Sequence, residues 1–292
     1  MMRPSFVQRA LRKFDKTLSS FFFLDQWVIM TAQDMAYDSL QWSKLQPIVP
    51  DKDRYWADPF VIQKDNLYFI FAEEKIYATK RGRIICITLD QQENVLSNQV
   101  ALERPYHLSY PFLFEYQDEL YMLPESAQNQ NVELYRCTEF PNKWKFVKNL
   151  MSDIYAADAT LSEHDNKWWM FVNVKEAGGS SLDALHLFYA DSPLASQWTP
   201  HPCNPIVKDI RSARPAGRIF SQDGKLIRPS QDSSRRYGRA LKFNRIIKLN
   251  ENEYEEVLDT DFSPRGGKII ATHTFNQAGN LAVIDAIIRR WK

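Results

Sequence analysis

From about residue 54 onward, the chain repeats one short pattern five times. Each copy contains an apolar run, a polar turn and a second run rich in aromatic and β-branched residues. In the first copy, residues 56–62 are followed by the turn at residues 64–66 and by a second apolar run at residues 67–71. Because Asp, Asn and Gly tolerate the backbone angles of a tight reversal, each copy predicts a β-hairpin. The equivalent positions, separated by 52, 48, 56 and 59 residues, are Asp58, Tyr110, Asp158, Arg214 and His273.

The spacing and strand content of the copies predict the fold class. Further β-rich runs follow the hairpins in most copies, at residues 84–89, 132–137, 184–189 and 240–249. Four strands in each period of about 50 residues are typical of a β-propeller blade. The fifth copy is short, and we expect the strand-like segment at residues 26–30 to complete it and close the ring. The sequence therefore predicts an all-β protein: a five-bladed β-propeller over residues 25–292, preceded by an amphipathic leader with a short N-terminal helix at residues 1–24.

Composition and charge narrow the class of protein and the partners it can have. Aromatic residues make up 13% of the 292 residues, whereas Gly occurs 9 times, which favours strands over helices. The net charge of +1 gives no overall attraction to nucleic acid, so we predict no nucleic-acid partner. Cys86, Cys137 and Cys203 lack metal spacing and indicate free thiols in a reducing compartment. We therefore expect a cytoplasmic protein.

The N-terminal leader has amphipathic character. Apolar residues recur at helical spacing in residues 5–18 among arginines and lysines, and an apolar run follows at residues 21–24. Two interpretations remain open: a segment at residues 5–24 that contacts the inner face of a membrane peripherally, or a leader helix that packs on the domain. Asp15 and Lys16 interrupt the apolar stretch that a cleaved signal peptide needs. No apolar run is long enough to span a bilayer.

The repeat also predicts where a functional site lies. In a propeller, the first strands of all blades run along the central axis, so their equivalent residues meet at one end of it. The five equivalent residues given above differ in chemistry while their neighbours repeat, which favours one shared site. The ends of the second strands add polar residues at Glu73, Glu125, Asn173 and either Gln231 or Asp232.

The carboxylates of this predicted site can carry out chemistry on a sugar. Two carboxyl groups that face each other across a glycosidic bond divide acid and base roles when their environments separate their pKa values. Asp58, Glu125 and Asp158 are the candidate catalytic residues. The alternative interpretation is that the two aspartates cap their strands and that Glu125 pairs with an arginine.

The fourth copy is rich in arginine, whose planar guanidinium suits a carboxylate or a phosphate. If several of these arginines point inward, the ligand is anionic: a uronic acid, a sugar phosphate or a lipid-linked sugar. The candidate substrate-binding residues are Tyr110, His107, Arg214, Arg235, Arg236, His273 and Asp232. The chain contains no phosphate-binding loop or dinucleotide fingerprint, and its five histidines lack zinc spacing, so we predict no cofactor and no metal, with one cation on the propeller axis as the open alternative.

Several short motifs carry a resemblance to known families. They lie at residues 56–59 (WADP), 107–112 (HLSYPF), 123–125 (LPE), 158–161 (DATL) and 233–239 (SSRRYGR). Over roughly residues 50–260 the chain resembles the propeller region of plant glucosamine inositolphosphorylceramide transferases and its bacterial stand-alone relatives. More distantly it is similar to the five-bladed propeller glycoside hydrolases of the invertase, levansucrase and arabinanase type. The second resemblance implies Asp58 as nucleophile or general base, Glu125 as general acid and Asp158 as a stabiliser or pKa modulator.

These observations leave two classes of function open. The first is an enzyme that acts on a glycosidic linkage, by glycosyl transfer in surface-polysaccharide or glycolipid synthesis or by hydrolysis. The arginine-rich fourth copy favours transfer that involves a phosphorylated species. The second is a non-catalytic module that binds a glycan and assists a partner glycosyltransferase.

Overall fold

The computed structural model describes residues 22–175, 178–264 and 266–292. These residues form five sheets of antiparallel strands around one axis, which confirms the predicted five-bladed β-propeller. Four blades are built from consecutive strands, whereas the fifth combines strands from the two ends of the chain. The repeat in the sequence is therefore a repeat of blades.

Strand bounds follow the repeat closely. The first strands of the chain, which belong to blade 5, are β1 (Phe23–Gln33) and β2 (Gln46–Ile48). Blade 1 contains β3 (Arg54–Lys64), β4 (Leu67–Ile76), β5 (Gly82–Leu89) and β6 (Val95–Leu102). Blade 2 contains β7 (Ser109–Tyr116), β8 (Glu119–Ser126), β9 (Asn131–Glu139) and β10 (Lys143–Ser152).

The remaining strands complete the ring. Blade 3 contains β11 (Ala156–His164), β12 (Lys167–Val174), β13 (Leu185–Ala190) and β14 (Thr199–Pro200). Blade 4 contains β15 (Phe220–Gln222), β16 (Lys225–Asp232), β17 (Ala240–Leu249) and β18 (Tyr254–Phe262). Blade 5 is completed by β19 (Ile269–Ala271), β20 (Phe275–Ala278) and β21 (Leu281–Trp291).

Blade 5 closes the ring through the pairing of β1 with β21. The two strands run antiparallel in continuous register, from the pair Phe23 and Trp291 to the pair Gln33 and Leu281. The segment at residues 26–30 lies inside β1, so the expected completion of the fifth blade is confirmed. Closure leaves no gap between the first and last blades, and it ties the stability of blade 5 to both ends of the repeat.

Helix is a minor component of the described chain. Between residues 23 and 292, apart from the undescribed positions, the helical elements are two 3-10 turns, Trp42–Lys44 and Ala127–Asn129. The helix predicted at residues 5–18 lies outside the described residues, and the strand β1 begins at Phe23, inside the segment predicted as leader. None of the described helical elements has the length and apolarity needed to cross a membrane.

Aromatic side chains join neighbouring blades. Phe60 of β3 packs edge to face on Tyr110 of β7, with ring centroids 4.9 Å apart and planes at 80°. Phe243 of β17 and Phe275 of β20 make a similar contact between blades 4 and 5, at 5.1 Å and 88°. Such pairs contribute about 0.5–1.5 kcal/mol beyond the area that they bury. Aromatic side chains of this aromatic-rich sequence thus pack at the interfaces between blades.

The innermost strands share a backbone irregularity at the repeat position that sequence analysis singled out. Asp58, Tyr110 and Asp158 have φ angles of 52°, 41° and 56°. In β3, β7 and β11 the pairing with the next strand shifts at this position, which is the pattern of a β-bulge. A bulge redirects the side chain of the affected residue. Asp adopts positive φ more easily than Tyr, so Tyr110 is the strained member of the set.

The phenol of Tyr110 helps to close the propeller axis. Its hydroxyl lies 2.9 Å from Thr160 Oγ1 and accepts a hydrogen bond of 2.8 Å from the N–H of Gly217. Gly217 has a φ of 133°, and a Cβ at this position would overlap the carbonyl oxygen of Phe275. Blades 2, 3, 4 and 5 therefore meet at this point, and the close approach requires glycine.

Replacing Gly217 by Ala is expected to destabilise the protein by at least about 3 kcal/mol, because the new methyl group must displace the backbone of β20. Gly224, in the turn before β16, is the matched control, since its φ is also positive at 73° but a Cβ there would meet nothing within 4 Å. Gly224→Ala should cost about 1–2 kcal/mol. Urea denaturation measures both, and equal losses would contradict the close approach at Gly217.

Candidate active site

One end of the propeller axis holds a cavity of about 140 Å³. Its lining residues are Trp27, Tyr55, Ala57, Asp58, Glu73, Lys75, His107, Ser109, Glu125, Arg214, Tyr237 and His273. Five of the residues predicted from the repeat and its surroundings are brought together here: Asp58, His107, Glu125, Arg214 and His273. Asp158 of blade 3 lies directly behind Arg214, to which it is hydrogen-bonded. All five blades thus contribute to this end of the axis.

Asp58 is buried and held at both carboxylate oxygens. Oδ1 accepts a hydrogen bond from the Thr274 hydroxyl at 2.9 Å, and Oδ2 accepts one from the Tyr110 N–H at 3.3 Å. Burial raises the pKa of Asp58 to about 6, and it does so against the charge of His273, which lowers the pKa. Asp58 is therefore mostly ionised at neutral pH, although little water surrounds it.

His273 supplies positive charge beside Asp58. Its Nδ1 donates to Asp285 Oδ2 at 2.5 Å and lies 3.8 Å from Asp58 Oδ1. Trp27 stacks on the imidazole, with ring centroids 4.1 Å apart. Burial disfavours the charged ring, but the carboxylates of Asp285 and Asp58 outweigh it and raise the pKa of His273 to about 9. The ring is thus an imidazolium at neutral pH.

Asp285 connects blade 5 to blade 1 beneath this pair. Its oxygens accept hydrogen bonds from the backbone N–H groups of Asp58, His273 and Thr274, at 3.0, 2.8 and 3.0 Å. Ligand atoms of Asp58, His273 and Asp285 lie within 4.8 Å of one another, a spacing that a cation site would use. Because Nδ1 of His273 donates to Asp285, a cation could bind here only after the imidazolium lost that proton.

Arg214 is enclosed by carboxylates. Its Nε donates to Asp158 Oδ2 at 2.6 Å, and its Nη2 donates to Asp158 Oδ1 and to Glu125 Oε2, both at 3.2 Å. The guanidinium also lies 5.5 Å from the ring of Tyr237. A guanidinium engaged by two carboxyl groups has little capacity left to bind an anionic ligand. Arg214 therefore fixes the positions of Asp158 and Glu125.

Glu125 and Asp158 share the Arg214 guanidinium and stand close to each other. Burial raises the pKa of Glu125 well above its usual range, and the charge of Asp158 adds to the effect, whereas Arg214 opposes it. Burial therefore favours the protonated form of Glu125, and the neighbouring Asp158 oxygens are the acceptors for that proton. This arrangement supplies one carboxylic acid and one carboxylate.

Glu73 stands on the blade 1 side of the cavity. Its Oε1 accepts a hydrogen bond from the Tyr55 hydroxyl at 3.1 Å and lies 3.4 Å from His107 Nε2. Burial raises the pKa of Glu73 to about 8, and the charge of Asp58 adds to this effect. Burial also lowers the pKa of His107 to about 4, with a further lowering from Lys75. At neutral pH the pair is therefore a carboxylic acid and a neutral imidazole.

Four of the predicted binding residues lie away from the cavity lining. Tyr110 is fully buried beneath the site, where its hydroxyl bonds Thr160 and Gly217. Asp232 is occupied by Arg239 and by the backbone and hydroxyl of Ser234. Arg235 and Arg236 are exposed in the loop between β16 and β17, next to Tyr237, which does line the cavity.

Some residues of the site were not selected from the sequence. Glu73 was predicted as a polar residue at the end of a second strand but was not chosen as a candidate catalytic or binding residue, although it pairs with Ala57 as Glu125 pairs with Ser109. Asp285 likewise ends the second run of the fifth copy. Trp27 and Tyr237 had no signal, because one lies in the closing strand and the other in a loop outside the repeat.

A larger cavity of about 660 Å³ lies at the other ends of the innermost strands. Its walls are mostly apolar side chains such as Val61, Leu113 and Leu161, and its acidic residues, Glu115 and Glu163, are exposed. Buried groups with opposed pKa shifts are gathered in the smaller cavity instead. The smaller cavity is therefore the candidate active site, despite its size.

The pKa values of the two histidines of the site are expected to be shifted in opposite directions from the ordinary histidine value. Since the pKa of His273 is raised from 6.5 to about 9, the stability that its charge contributes is fully present below pH 6.5 and is lost as the pH rises through 9. Imidazole ¹⁵N NMR between pH 5 and 8 should show His273 charged and His107 neutral. Asp285→Asn should lower the pKa of His273 and leave that of His107 unchanged. A shared midpoint near 6.5 would contradict this electrostatic arrangement.

Solved structures of several glycoside hydrolases have a similar fold. Zg3597, a family 117 glycoside hydrolase of Zobellia galactanivorans, is similar with a TM-score of 0.58 and 12% identity, over 90% of each chain. The catalytic domain of the Coprinopsis cinerea GH62 α-L-arabinofuranosidase has a TM-score of 0.58 and 13% identity, over 79% of this chain and 90% of that one. At this identity the similarity shows the fold.

Sequence comparison gives a closer relationship. Glucosamine inositolphosphorylceramide transferase 1 of Oryza sativa subsp. japonica is 40% identical over 205 residues, which are 69% of this chain and 27% of the relative. The protein of the same name from Arabidopsis thaliana is 36% identical over 208 residues, 70% of this chain and 27% of the relative. The chain thus spans about a quarter of the length of these relatives. A family model described as the N-terminal region of glucosamine inositolphosphorylceramide transferase 1 matches residues 49–267, and the chain therefore belongs to this family.

Proposed function

We propose that this chain acts on a glycosidic linkage, with Asp58 as general base or nucleophile and a protonated glutamate as proton donor. The observation that carries the proposal is one cavity lined by three buried carboxyl groups, of which Asp58 has a pKa of about 6, Glu73 a pKa raised to about 8 and Glu125 a pKa raised well above its usual range. Carboxyl groups whose environments separate their pKa values are the equipment of glycosidic chemistry. The resemblance to propeller hydrolases assigns the acid role to Glu125, and the cavity offers Glu73 as well.

The dimensions of the cavity support a single sugar ring as the bound group. Cavities for drug-sized ligands measure about 300–1,000 Å³, whereas this one measures about 140 Å³. Trp27 and Tyr237 add aromatic surface to walls that are otherwise rich in hydrogen-bonding groups. A terminal sugar fits this combination, and the remainder of the glycan or donor would extend out of the mouth.

The distribution of cations supports a phosphorylated donor with its phosphate at the mouth. Inside the site, Arg214 is engaged by two carboxylates. Arg235 and Arg236, by contrast, form no ion pair with the part of the chain that the structure describes, and Lys75 likewise has none. The names of the relatives, which describe transfer of glucosamine to an inositolphosphorylceramide, favour glycosyl transfer in glycolipid or polysaccharide synthesis over hydrolysis.

A second candidate function is a non-catalytic glycan-binding module that assists a partner glycosyltransferase. It is favoured by the length comparison, because the chain corresponds to 27% of its plant relatives and most of their length lies elsewhere. The two candidates differ in a measurable way, since a binding module has affinity for a glycan without turnover.

Asp58→Asn and Glu125→Gln are expected to lower turnover about 10²–10⁴-fold, because each removes a carboxyl group needed for proton transfer or charge stabilisation. The assay follows release and transfer of the sugar from nucleotide sugars, sugar phosphates and neutral glycosides. Glu133→Gln is the control, since Glu133 is equally buried in blade 2 but bonds Tyr106 and Tyr135 outside the cavity. Sugar binding without turnover in the wild type would instead support the binding module.

Arg235→Gln combined with Arg236→Gln is expected to raise KM for phosphorylated donors about tenfold, equal to about 1.4 kcal/mol, while KM for neutral glycosides stays unchanged. Arg136→Gln on β9 is the matched control, because Arg136 is also exposed but lies on another blade surface. Equal KM values for the double variant and the wild type on phosphorylated donors would place the anion elsewhere.

A further inference from the structure

We propose that Glu73 is the proton donor of the site and that it delivers the proton from Oε2 to the oxygen of the departing group. This inference rests on the proposed function and assigns one of its roles to a residue of blade 1. Glu73 is 5% exposed and lines the cavity that also holds Asp58. Its place on β4 is equivalent in the repeat to that of Glu125 on β8.

The hydrogen bonds around Glu73 determine which oxygen carries the proton. Tyr55 donates its hydroxyl hydrogen to Oε1, and His107 Nε2 also approaches Oε1, at 3.4 Å. Because Oε1 accepts the hydroxyl hydrogen of Tyr55, Oε1 is the carbonyl oxygen of the carboxylic acid, so the proton resides on Oε2. Oε2 has no hydrogen-bond partner in the described residues and is available to a ligand.

The tautomer of His107 is fixed by the backbone. Its Nδ1 accepts a hydrogen bond of 2.8 Å from the N–H of Gly82, so the ring hydrogen of the neutral imidazole is on Nε2. Nε2 therefore presents a donor toward Glu73. Nε2 lies 3.4 Å from Glu73 Oε1, so its N–H faces the carbonyl oxygen of a Glu73 that keeps its own hydrogen on Oε2.

Gly82 permits this arrangement. A Cβ at residue 82 would lie 2.7 Å from Glu73 Oε1 and 2.7 Å from His107 Cε1, and it would overlap the carbonyl oxygen of Leu108. The first residue of β5 is thus glycine at the point where the glutamate and the imidazole approach each other. The close approach makes Gly82 and His107 positioning residues for Glu73.

Glu125 differs from Glu73 in its partners. Its Oε2 accepts from the guanidinium of Arg214, which also binds Asp158 on two atoms. A proton on Glu125 therefore has the neighbouring Asp158 carboxylate as its acceptor, inside the protein. This geometry gives Glu125 a role in positioning the Arg214 guanidinium and in binding the sugar, and Glu73 is then the proton donor.

The proposed step balances in atoms and charge. As the bond between the anomeric carbon and the departing oxygen breaks, both electrons go to that oxygen, and Glu73 Oε2 gives it a proton. In a single displacement, the oxygen of the incoming hydroxyl bonds to the anomeric carbon, and Asp58 takes the proton of that hydroxyl. Glu73 ends as a carboxylate and Asp58 as an acid, and solvent returns the proton from Asp58 to Glu73.

The test uses leaving groups of graded basicity. The probes are 2,4-dinitrophenyl, 4-nitrophenyl and phenyl glucosaminides of both anomers, chosen from the sugar in the relatives' names. Glu73→Gln should slow the phenyl substrates about 10²–10⁴-fold, because phenolate needs protonation, and the dinitrophenyl substrates less than about tenfold. Glu125→Gln should slow all three to the same degree, and so should Asp58→Asn.

The pH profile gives an independent readout. The charged and titratable groups that face Glu73 are Asp58, Tyr55, Lys75, His107 and His273. Since the acid acts when protonated and burial raises its pKa to about 8, wild-type turnover of phenyl substrates should fall as the pH rises through 8. That alkaline limb should be absent in Glu73→Gln. In His107→Gln the alkaline limb should move to a different pH, whereas a merely structural role of His107 would leave the limb in place.

The possible failures are separable. If the wild type turns over none of the substrates, the proposed function fails and the donor role fails with it. If the wild type is active and Glu73→Gln matches it on phenyl substrates, or slows all leaving groups equally, the donor role alone is overturned. Loss of the alkaline limb in Glu125→Gln instead of Glu73→Gln would transfer the role to Glu125. Thermal unfolding of each variant checks that it is folded.

Discussion

The burial of several carboxyl groups at one end of the axis is the constraint on which the site depends. Asp58, Glu73, Asp158 and Asp285 are at most 5% exposed, and Glu125 is little more accessible. An ionised carboxylate taken out of water costs several kcal/mol unless a partner compensates it. Arg214 and His273 supply buried positive charge, and protonation of the two glutamates removes further negative charge. Acids and bases therefore coexist in the site because of its burial.

The propeller provides this arrangement by repeating a backbone feature and varying the side chain. The bulge with positive φ occurs at Asp58, Tyr110 and Asp158, and the pairing of the inner strand shifts there in each blade. One backbone geometry thus aims two aspartates and a tyrosine at the axis. The two aspartates are acidic groups of the site, and Tyr110 fills the space beneath it. The asymmetry needed for acid and base roles arises from sequence divergence within a symmetrical frame.

Much of the fold was predictable because blades are local. A hairpin is specified by an apolar run, a turn and a second run within about 20 residues, and the spacing of the five copies then gives the blade count. The closing strand was predictable from the strand-like residues 26–30. The direction of individual side chains was not, because it depends on contacts between blades. Tyr110 shares the position of Asp58, yet its longer side chain reaches Thr160 and Gly217 beneath the site.

Arg214 shows how far such contacts alter an interpretation from sequence. An arginine at the repeat position predicts an anion-binding group, but Nε and Nη2 of Arg214 already donate to Asp158 and Glu125 inside the protein. Two cationic side chains without an ion pair in the described residues are Lys75, which lines the cavity, and Arg235, which is exposed in the loop beside Tyr237. A phosphorylated donor would therefore bind with its sugar inward, among neutral and acidic groups, and with its phosphate outward.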